Sequence, residues 1–244
     1  MSKFLRLTLA IAPIAALSLF GWFKLAAAQT SDFVGLRRPD PLPALTWWWT
    51  KVNAQASASQ NQQYATCLFG DSISSALEDT IGNGVMNFAM GGLSTVSLVE
   101  QLKIIQSSGV KCQTAVIAIG TNDAMYATRN ETFVQNLTQI IGQVRNLGAT
   151  QVVLLPAFYS TLPASFDPNL AGTIERVDEI NALIRQVAVQ SQVPVLTEVL
   201  QPLFRARSLR TDLTFDGVHL NEAGKTIYRG IMRQIVQQTT RDRG

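Results

Sequence analysis

From residue 64 onward, short apolar runs alternate with longer amphipathic stretches, and that alternation leaves few folds open. "ATCLF" (65–69), "GVMNFAM" (84–90), "TAVIAIG" (114–120), "QVVLLPAF" (151–158) and "VPVLTEV" (193–199) have the length and composition of strands buried on both faces. Between them, Val134, Leu137, Ile140, Ile141, Val144 and Leu147 recur at helical spacing, with Asn130 placed as an N-cap. Ile174, Val177, Ile180, Leu183, Ile184 and Val187 mark a second such face, and a last helix is expected from near Asn221. Strand and helix in alternation imply an α/β fold with a five-stranded parallel sheet between two helical layers. The 47% hydrophobic content is enough to cover both faces of such a sheet. Folds of this kind build their sites beyond the carboxyl ends of the strands, so the residues found there matter most.

After the first strand stands "GDSIS" (70–74). Gly70 permits a sharp exit, Asp71 is a turn or cap residue, and Ser72 opens the next helix. Read alone, Ser72 is ordinarily a helix cap rather than a nucleophile. The G-x-S-x-G elbow is not matched, because Ser74 occupies its last position. After the second strand comes "NFAMGGLS" (87–94), where Gly91 and Gly92 let backbone N–H groups approach a ligand. After the third comes "GTND" (120–123), where Asn122 is either a turn former or an amide aimed at an oxyanion. Near the C-terminus, Asp216 stands three residues before His219, the one histidine in 244 residues. A nucleophile needs a base, the base needs an orienting carboxylate, and a tetrahedral intermediate needs preorganised donors. These residues supply each part. The phosphate-binding glycine motifs are missing, which disfavours nucleotide binding.

The four blocks "FGDSIS", "NFAMGG", "GTND" and "DGVHLN", in that order, resemble the SGNH (GDSL-type) hydrolase family of esterases and lipases, over roughly residues 63 to 238. The resemblance implies a three-layer α/β/α sandwich of flavodoxin-like form. It also implies Ser72 as nucleophile, His219 as base and then acid, and Asp216 as the carboxylate that orients it. Ser72 and Gly92 would donate to the oxyanion through their backbone N–H groups, and Asn122 through its side chain. Asp71 and Asp123 are expected to be structural. Many relatives carry an acid directly after the glycine of the second block, where this chain has Leu93; a looser loop or a more apolar entrance is expected. The implied reaction is hydrolysis of carboxylic esters, of small acyl or acetyl groups on carbohydrates or lipids. Two alternatives are an acyltransferase of the same fold acting on a cell-envelope polymer, and a noncatalytic glycan-binding module. Neither metal nor cofactor is expected, since one His and two Cys offer no ligand cluster. The irregular stretch 159–173, with Tyr159, Leu162 and Phe166, is expected to line the pocket.

The first 28 residues read as a signal peptide or an N-terminal membrane anchor. Lys3 and Arg6 precede an apolar run over residues 7–23, and Ala26 and Ala28 form an A-x-A cleavage pattern. Either way the remainder is expected to be exported, periplasmic or extracellular, with membrane association through this segment if it is kept. The chain carries a formal net charge of +3, but Lys3, Arg6 and Lys24 account for all of it, and the rest balances 17 basic against 17 acidic residues. A nucleic-acid partner is therefore not expected. Residues 29–63 combine a Pro-rich stretch, the consecutive Trp47, Trp48 and Trp49, and the polar "NAQASASQNQQ", which reads as a linker. The three tryptophans cannot share one face of a helix or strand, so packing over the outside of the domain at 64–244 is favoured over a sugar- or membrane-binding cluster. Cys67 and Cys112 are expected to be unpaired. If Gly70 and Gly120 end neighbouring strands at one level, the cysteines are offset by five residues, about 16 Å.

Overall fold

In the computed structural model, residues 38–241 are described; the expected leader, residues 1–28, lies outside them. The elements run α1 (Thr46–Ala58), β1 (Gln63–Gly70), α2 (Ser72–Ser75), β2 (Val85–Asn87), α3 (Thr95–Ser107), β3 (Lys111–Ala118), α4 (Thr121–Tyr126), α5 (Asn130–Asn146), β4 (Gln151–Leu154), α6 (Ile174–Ser191), β5 (Phe204–Arg205), β6 (Ser208–Leu209) and α7 (Glu222–Arg241). The central sheet has the order β2-β1-β3-β4, and every pairing is parallel. Successive strand residues alternate between two cores. Cys67, Phe69, Ala115 and Ile117 face α1, α3, α5 and α6, whereas Leu68, Val116 and Ala118 face α2 and α7. The helices meet these cores with single stripes, such as Tyr228, Ile231, Met232 and Ile235 on α7. The expected three-layer α/β/α architecture is present.

Four strands form where five runs were expected. "VPVLTEV" contributes one parallel bridge, Leu154↔Val195, in which Leu154 N–H donates to Pro194 O and Leu196 N–H to Leu154 O. The next rung towards Val152 would need an N–H on Pro194, and proline has none. Beyond Leu196 the chain turns into a 3₁₀ helix, Glu198–Leu203. Asn130 opens α5 but does not cap it: Arg129 holds the cap position without a side-chain bond, and the Asn130 amide donates to Glu179.

The stretch read as a linker is instead mostly helix. Thr46–Ala58 buries Trp48, Val52 and Ala56 at the spacing of one helical face. Trp48 is fully buried, Trp47 is 53% exposed, and Trp49 donates from Nε1 to Pro43 O. Three adjacent tryptophans thus take three environments, and the helix packs against the α3 side of the sheet.

The cysteine expectation is overturned. Cys67 and Cys112 form a disulfide with Cα atoms 5.8 Å apart. The assumed alignment was wrong by two residues: Gly70 pairs with Ala118, not Gly120, which cuts the offset to three. The ladder is also broken at Ala65 and Gln113. Thr66 N–H donates across to Gly84 O on the β2 side, and Gln113 O accepts from Thr150 N–H. Beyond this irregularity both cysteines enter the same core. Thiol titration of denatured, unreduced protein is therefore expected to find no free thiol, and two after reduction. The bridge spans a sequence separation of 45, for which chain entropy gives about 4 kcal/mol of stabilisation. Urea unfolding with and without reductant should show a loss of roughly 2–4 kcal/mol; free thiols in the oxidised protein would refute the bridge.

Candidate active site

The candidate residues come from elements that end at one edge of the sheet. β1 runs into Ser72, β2 into Gly91 and Gly92, and β3 into Asn122, in three neighbouring strands. The turn after β1 is tight. A Cβ on Gly70 would lie 2.7 Å from Ser74 Oγ and 2.9 Å from Ala118 O, so only glycine fits. Asp71 is the N-cap of α2, its carboxylate accepting from Ile73 N–H at 3.0 Å. The capping role considered for Ser72 thus belongs to its neighbour. Ser72 stands one residue inside the helix, with Oγ 3.0 Å from His219 Nε2.

His219 and Asp216 arrive from the loop between β6 and α7. An antiparallel bridge between Thr214 and Leu220 closes that loop, and Thr214 Oγ1 donates to His219 O while accepting from Gly217 N–H. Asp216 uses both oxygens. Oδ2 lies 2.7 Å from His219 Nδ1, and Oδ1 accepts from the N–H groups of Val218 and His219 at 2.9 and 2.7 Å. With Nδ1–H donating to the carboxylate, Nε2 carries the lone pair, and Ser72 O–H donates to it. Partial burial pushes the Asp216 carboxyl up, but the His219 ring and the two backbone N–H groups outweigh it and hold it below the ordinary carboxylate range. The site is open: the His219 side chain is 39% exposed.

The glycine loop lies against the serine. A Cβ on Gly91 would sit 3.9 Å from Ser72 Cβ, and Gly92 holds a φ of +79° that other residues rarely adopt. Asn122 donates one N–H of its amide to Leu93 O at 2.9 Å, which ties the end of β3 to this loop and leaves the amide a second N–H. Leu93 itself is fully buried in the core. The expectation of a looser loop or a more apolar entrance is corrected, because the side chain points inward and anchors the loop.

Asp71 and Asp123 are buried, and both are tied into the scaffold. Burial pushes each carboxyl up to about 6, against hydrogen bonds that favour the charged form. Asp71 is bonded by Ile73 N–H and the Thr121 side chain, and Phe158 N–H donates in turn to Thr121 Oγ1. Asp123 accepts from Thr95 N–H and Oγ1 at 2.9 and 2.6 Å, joining block three to the start of α3.

The 159–173 stretch borders the site, with Thr161 N–H donating to Gly217 O at 2.7 Å. Its expected pocket residues are not together. Tyr159 OH donates to Asp178, while Leu162 and Phe166 are 54% and 77% exposed. Sequence reasoning passed over Phe215, whose ring lies nearly parallel to the His219 imidazole at 5.9 Å and is 71% exposed. It also passed over Thr214 and Asp40. Thr214 could have been flagged as the residue bracketing the Asp-x-x-His turn. Asp40 left no local signal.

The sequence model of the GDSL-like lipase/acylhydrolase family matches residues 66–227. No curated protein matches the chain. Among solved structures, a GDSL-like lipase from Bacteroides thetaiotaomicron is similar with a TM-score of 0.64 at 16% identity, covering 78% of this chain and 98% of that one. A lipase/acylhydrolase from Enterococcus faecalis gives a TM-score of 0.55 at 22% identity, covering 72% and 96%. An acetyl xylan esterase gives 0.55 at 18% identity, covering 70% and 99%. At these identities the likeness is one of fold.

Proposed function

The chain belongs to the GDSL-like lipase/acylhydrolase family of ester hydrolases, and on that premise we propose that it is a serine esterase working through an acyl-enzyme on Ser72. The observation that carries this reading is the continuous hydrogen-bonded chain Ser72 Oγ–His219 Nε2 and Nδ1–Asp216 Oδ2, at 3.0 and 2.7 Å. Ser72 Oγ bonds to the ester carbonyl carbon as its proton passes to Nε2. The N–H groups of Ser72 and Gly92 and the free amide N–H of Asn122 take up the charge on the carbonyl oxygen. The bond from carbon to the alcohol oxygen then breaks, and Nε2–H protonates the leaving alcohol. In the second step water gives its proton to Nε2, its oxygen bonds to the acyl carbon, and the Ser72 Oγ–carbon bond breaks with return of the proton to Ser72.

The substrates proposed are small acyl or acetyl esters, on carbohydrates or lipids. The openness of the site and the exposed Phe215 ring beside His219 favour a short acyl group. The protein is proposed to be exported. The Cys67–Cys112 disulfide supports this, since such bonds persist in oxidising compartments. Membrane association is proposed through residues 7–23; among the described residues no helix is long and apolar enough to cross a membrane. The intact chain of three side chains argues against a noncatalytic module.

The test is a panel of p-nitrophenyl esters from acetyl to dodecanoyl, with acetylated xylan and a phospholipid beside it. Acetyl and butyryl esters are expected to give the highest kcat/KM. A folded protein that turns over no ester would end this reading. Added sugar acceptor that diverts most of the acyl group from water would replace hydrolysis by acyl transfer.

A further inference from the structure

We infer that residues 38–45 form a positioning arm for the glycine loop of the site, with Asp40 as its positioning residue. The inference rests on the esterase reading above. The arm precedes the segment matched to the family, and it is bound to the loop at several points. Asp40 Oδ1 accepts from Leu42 N–H at 2.9 Å, fixing the 3₁₀ turn Leu42–Ala44. Asp40 Oδ2 accepts from Ser94 Oγ at 2.5 Å and from Ser97 N–H at 3.2 Å. Ser94 is the N-cap of α3 and follows the Gly91-Gly92-Leu93 loop directly. Its hydroxyl accepts from Val96 N–H while donating to Asp40, so the carboxylate sets the orientation of the cap. Ser94 and Ser97 are fully buried beneath the partly buried Asp40.

Leu42 supplies the packing half of the same contact. It is 4% exposed, and its Cδ1 lies 3.5 Å from where a Cβ on Gly92 would be. Tyr126 OH lies at the same 3.5 Å from that point, so the loop is backed by the arm and by the end of α4. Beside this packing, side-chain hydrogen bonds fasten the loop from two sides. Asn122 holds it through Leu93 O on the β3 side, and Asp40 holds it through Ser94 on the other. Gly92 directly precedes both points, and its neighbour Gly91 lies against Ser72. At its start the arm also reaches the stretch on the far side of the site, with Arg38 Nη2 donating to Asn169 Oδ1.

The physical consequence concerns placement. Without Asp40, the Ser94 hydroxyl loses its acceptor and the Ser97 N–H keeps only its capping-box bond to Ser94 Oγ, so the cap that follows the loop is held less firmly. An oxyanion donor displaced by about 1 Å costs up to a hundredfold in rate. Because the oxyanion exists only in the transition state, the loss belongs in kcat rather than KM.

The experiment compares Asp40→Ala, Asp40→Asn and Val52→Ala in the full chain. Val52 is fully buried on α1, takes no part in the Asp40 hydrogen bonds, and controls for simple loss of stability. For Asp40→Ala we expect kcat per titrated serine to fall by roughly ten- to a hundredfold, with KM within about twofold. Asp40→Asn, which keeps one carbonyl acceptor, should recover part of that loss. Val52→Ala should lower the melting temperature and keep kcat. Hydrogen exchange measured over residues 91–97 should quicken about tenfold in Asp40→Ala alone. Wild-type kcat in Asp40→Ala, or unchanged exchange over 91–97, would overturn the arm. If the wild type hydrolyses no ester, the esterase reading fails by itself, and the exchange measurement still decides the arm.

Discussion

Replacing Ser72 with alanine is expected to abolish ester turnover and leave the fold intact. The helix cap belongs to Asp71, whose carboxylate accepts from Ile73 N–H at 3.0 Å, so losing the Ser72 hydroxyl removes no cap. The bond of Ser72 Oγ to His219 Nε2 joins two partly buried groups, and its loss leaves an imidazole that water can reach. Ser72 is therefore cheap to remove structurally, while the proposed mechanism cannot run without it. A nucleophile of this kind is worth on the order of 10⁶ in kcat in a serine hydrolase. The backbone N–H of residue 72 remains, so substrate binding and part of the oxyanion site survive. Assay of the variant beside the wild type, with circular dichroism and melting temperature as controls, checks this. Retained turnover at unchanged fold would remove Ser72 from the mechanism.

Asp216→Asn should keep the fold and lose about four orders of magnitude in kcat/KM, the size seen when the orienting Asp of a serine protease is changed. The local geometry explains why so conservative a change is so damaging. Oδ1 accepts from the N–H groups of Val218 and His219, at 2.9 and 2.7 Å, and an asparagine must place its carbonyl oxygen there to satisfy them. Its NH₂ then faces Nδ1, which becomes an acceptor, and the ring proton moves to Nε2. An imidazole protonated at Nε2 cannot accept the Ser72 proton. In the wild type the carboxylate is held charged down to below the ordinary carboxylate range. Its folded-state pKa lies below the ordinary value, so the interaction is complete above that value and is lost only as pH falls through the lowered one. Steady-state kinetics with unfolding curves test the prediction; a loss of less than tenfold would assign the orienting role to another group.

Much of the site was legible because its chemistry is packed into short segments. The strand-to-helix turn at "GDSIS", the amide in "GTND" and the one-turn spacing of Asp216 and His219 depend on neighbours in sequence. Asp216 reaches both the His219 ring and its backbone N–H within three residues, which needs no long-range information. What the pattern could not assign was which residue capped the helix. Asp71 and Ser72 are both good caps by type, and only the folded turn separates them. Leu93 shows the same limit from the other side: at a loop position a leucine can turn out or in, and the core behind the loop decides.

By itself, the sequence determined the α/β class, four of the five strand runs, and the short segments that carry the candidate site. Each follows from a local period or a local turn. Tertiary structure alone decided the rest. A parallel strand can slide by two residues and keep every side chain on its face, so the apolar pattern of β1 and β3 is equally satisfied with Gly70 beside Ala118 or beside Gly120. Packing of both layers selects the first, and with it the Cys67–Cys112 bridge. The polar stretch before β1 carries too weak a pattern to declare a helix, yet Trp48, Val52 and Ala56 find a surface on the domain and become one. Asp40 meets Ser94 across 54 residues, a contact fixed by where α1 docks rather than by anything near either residue in the chain.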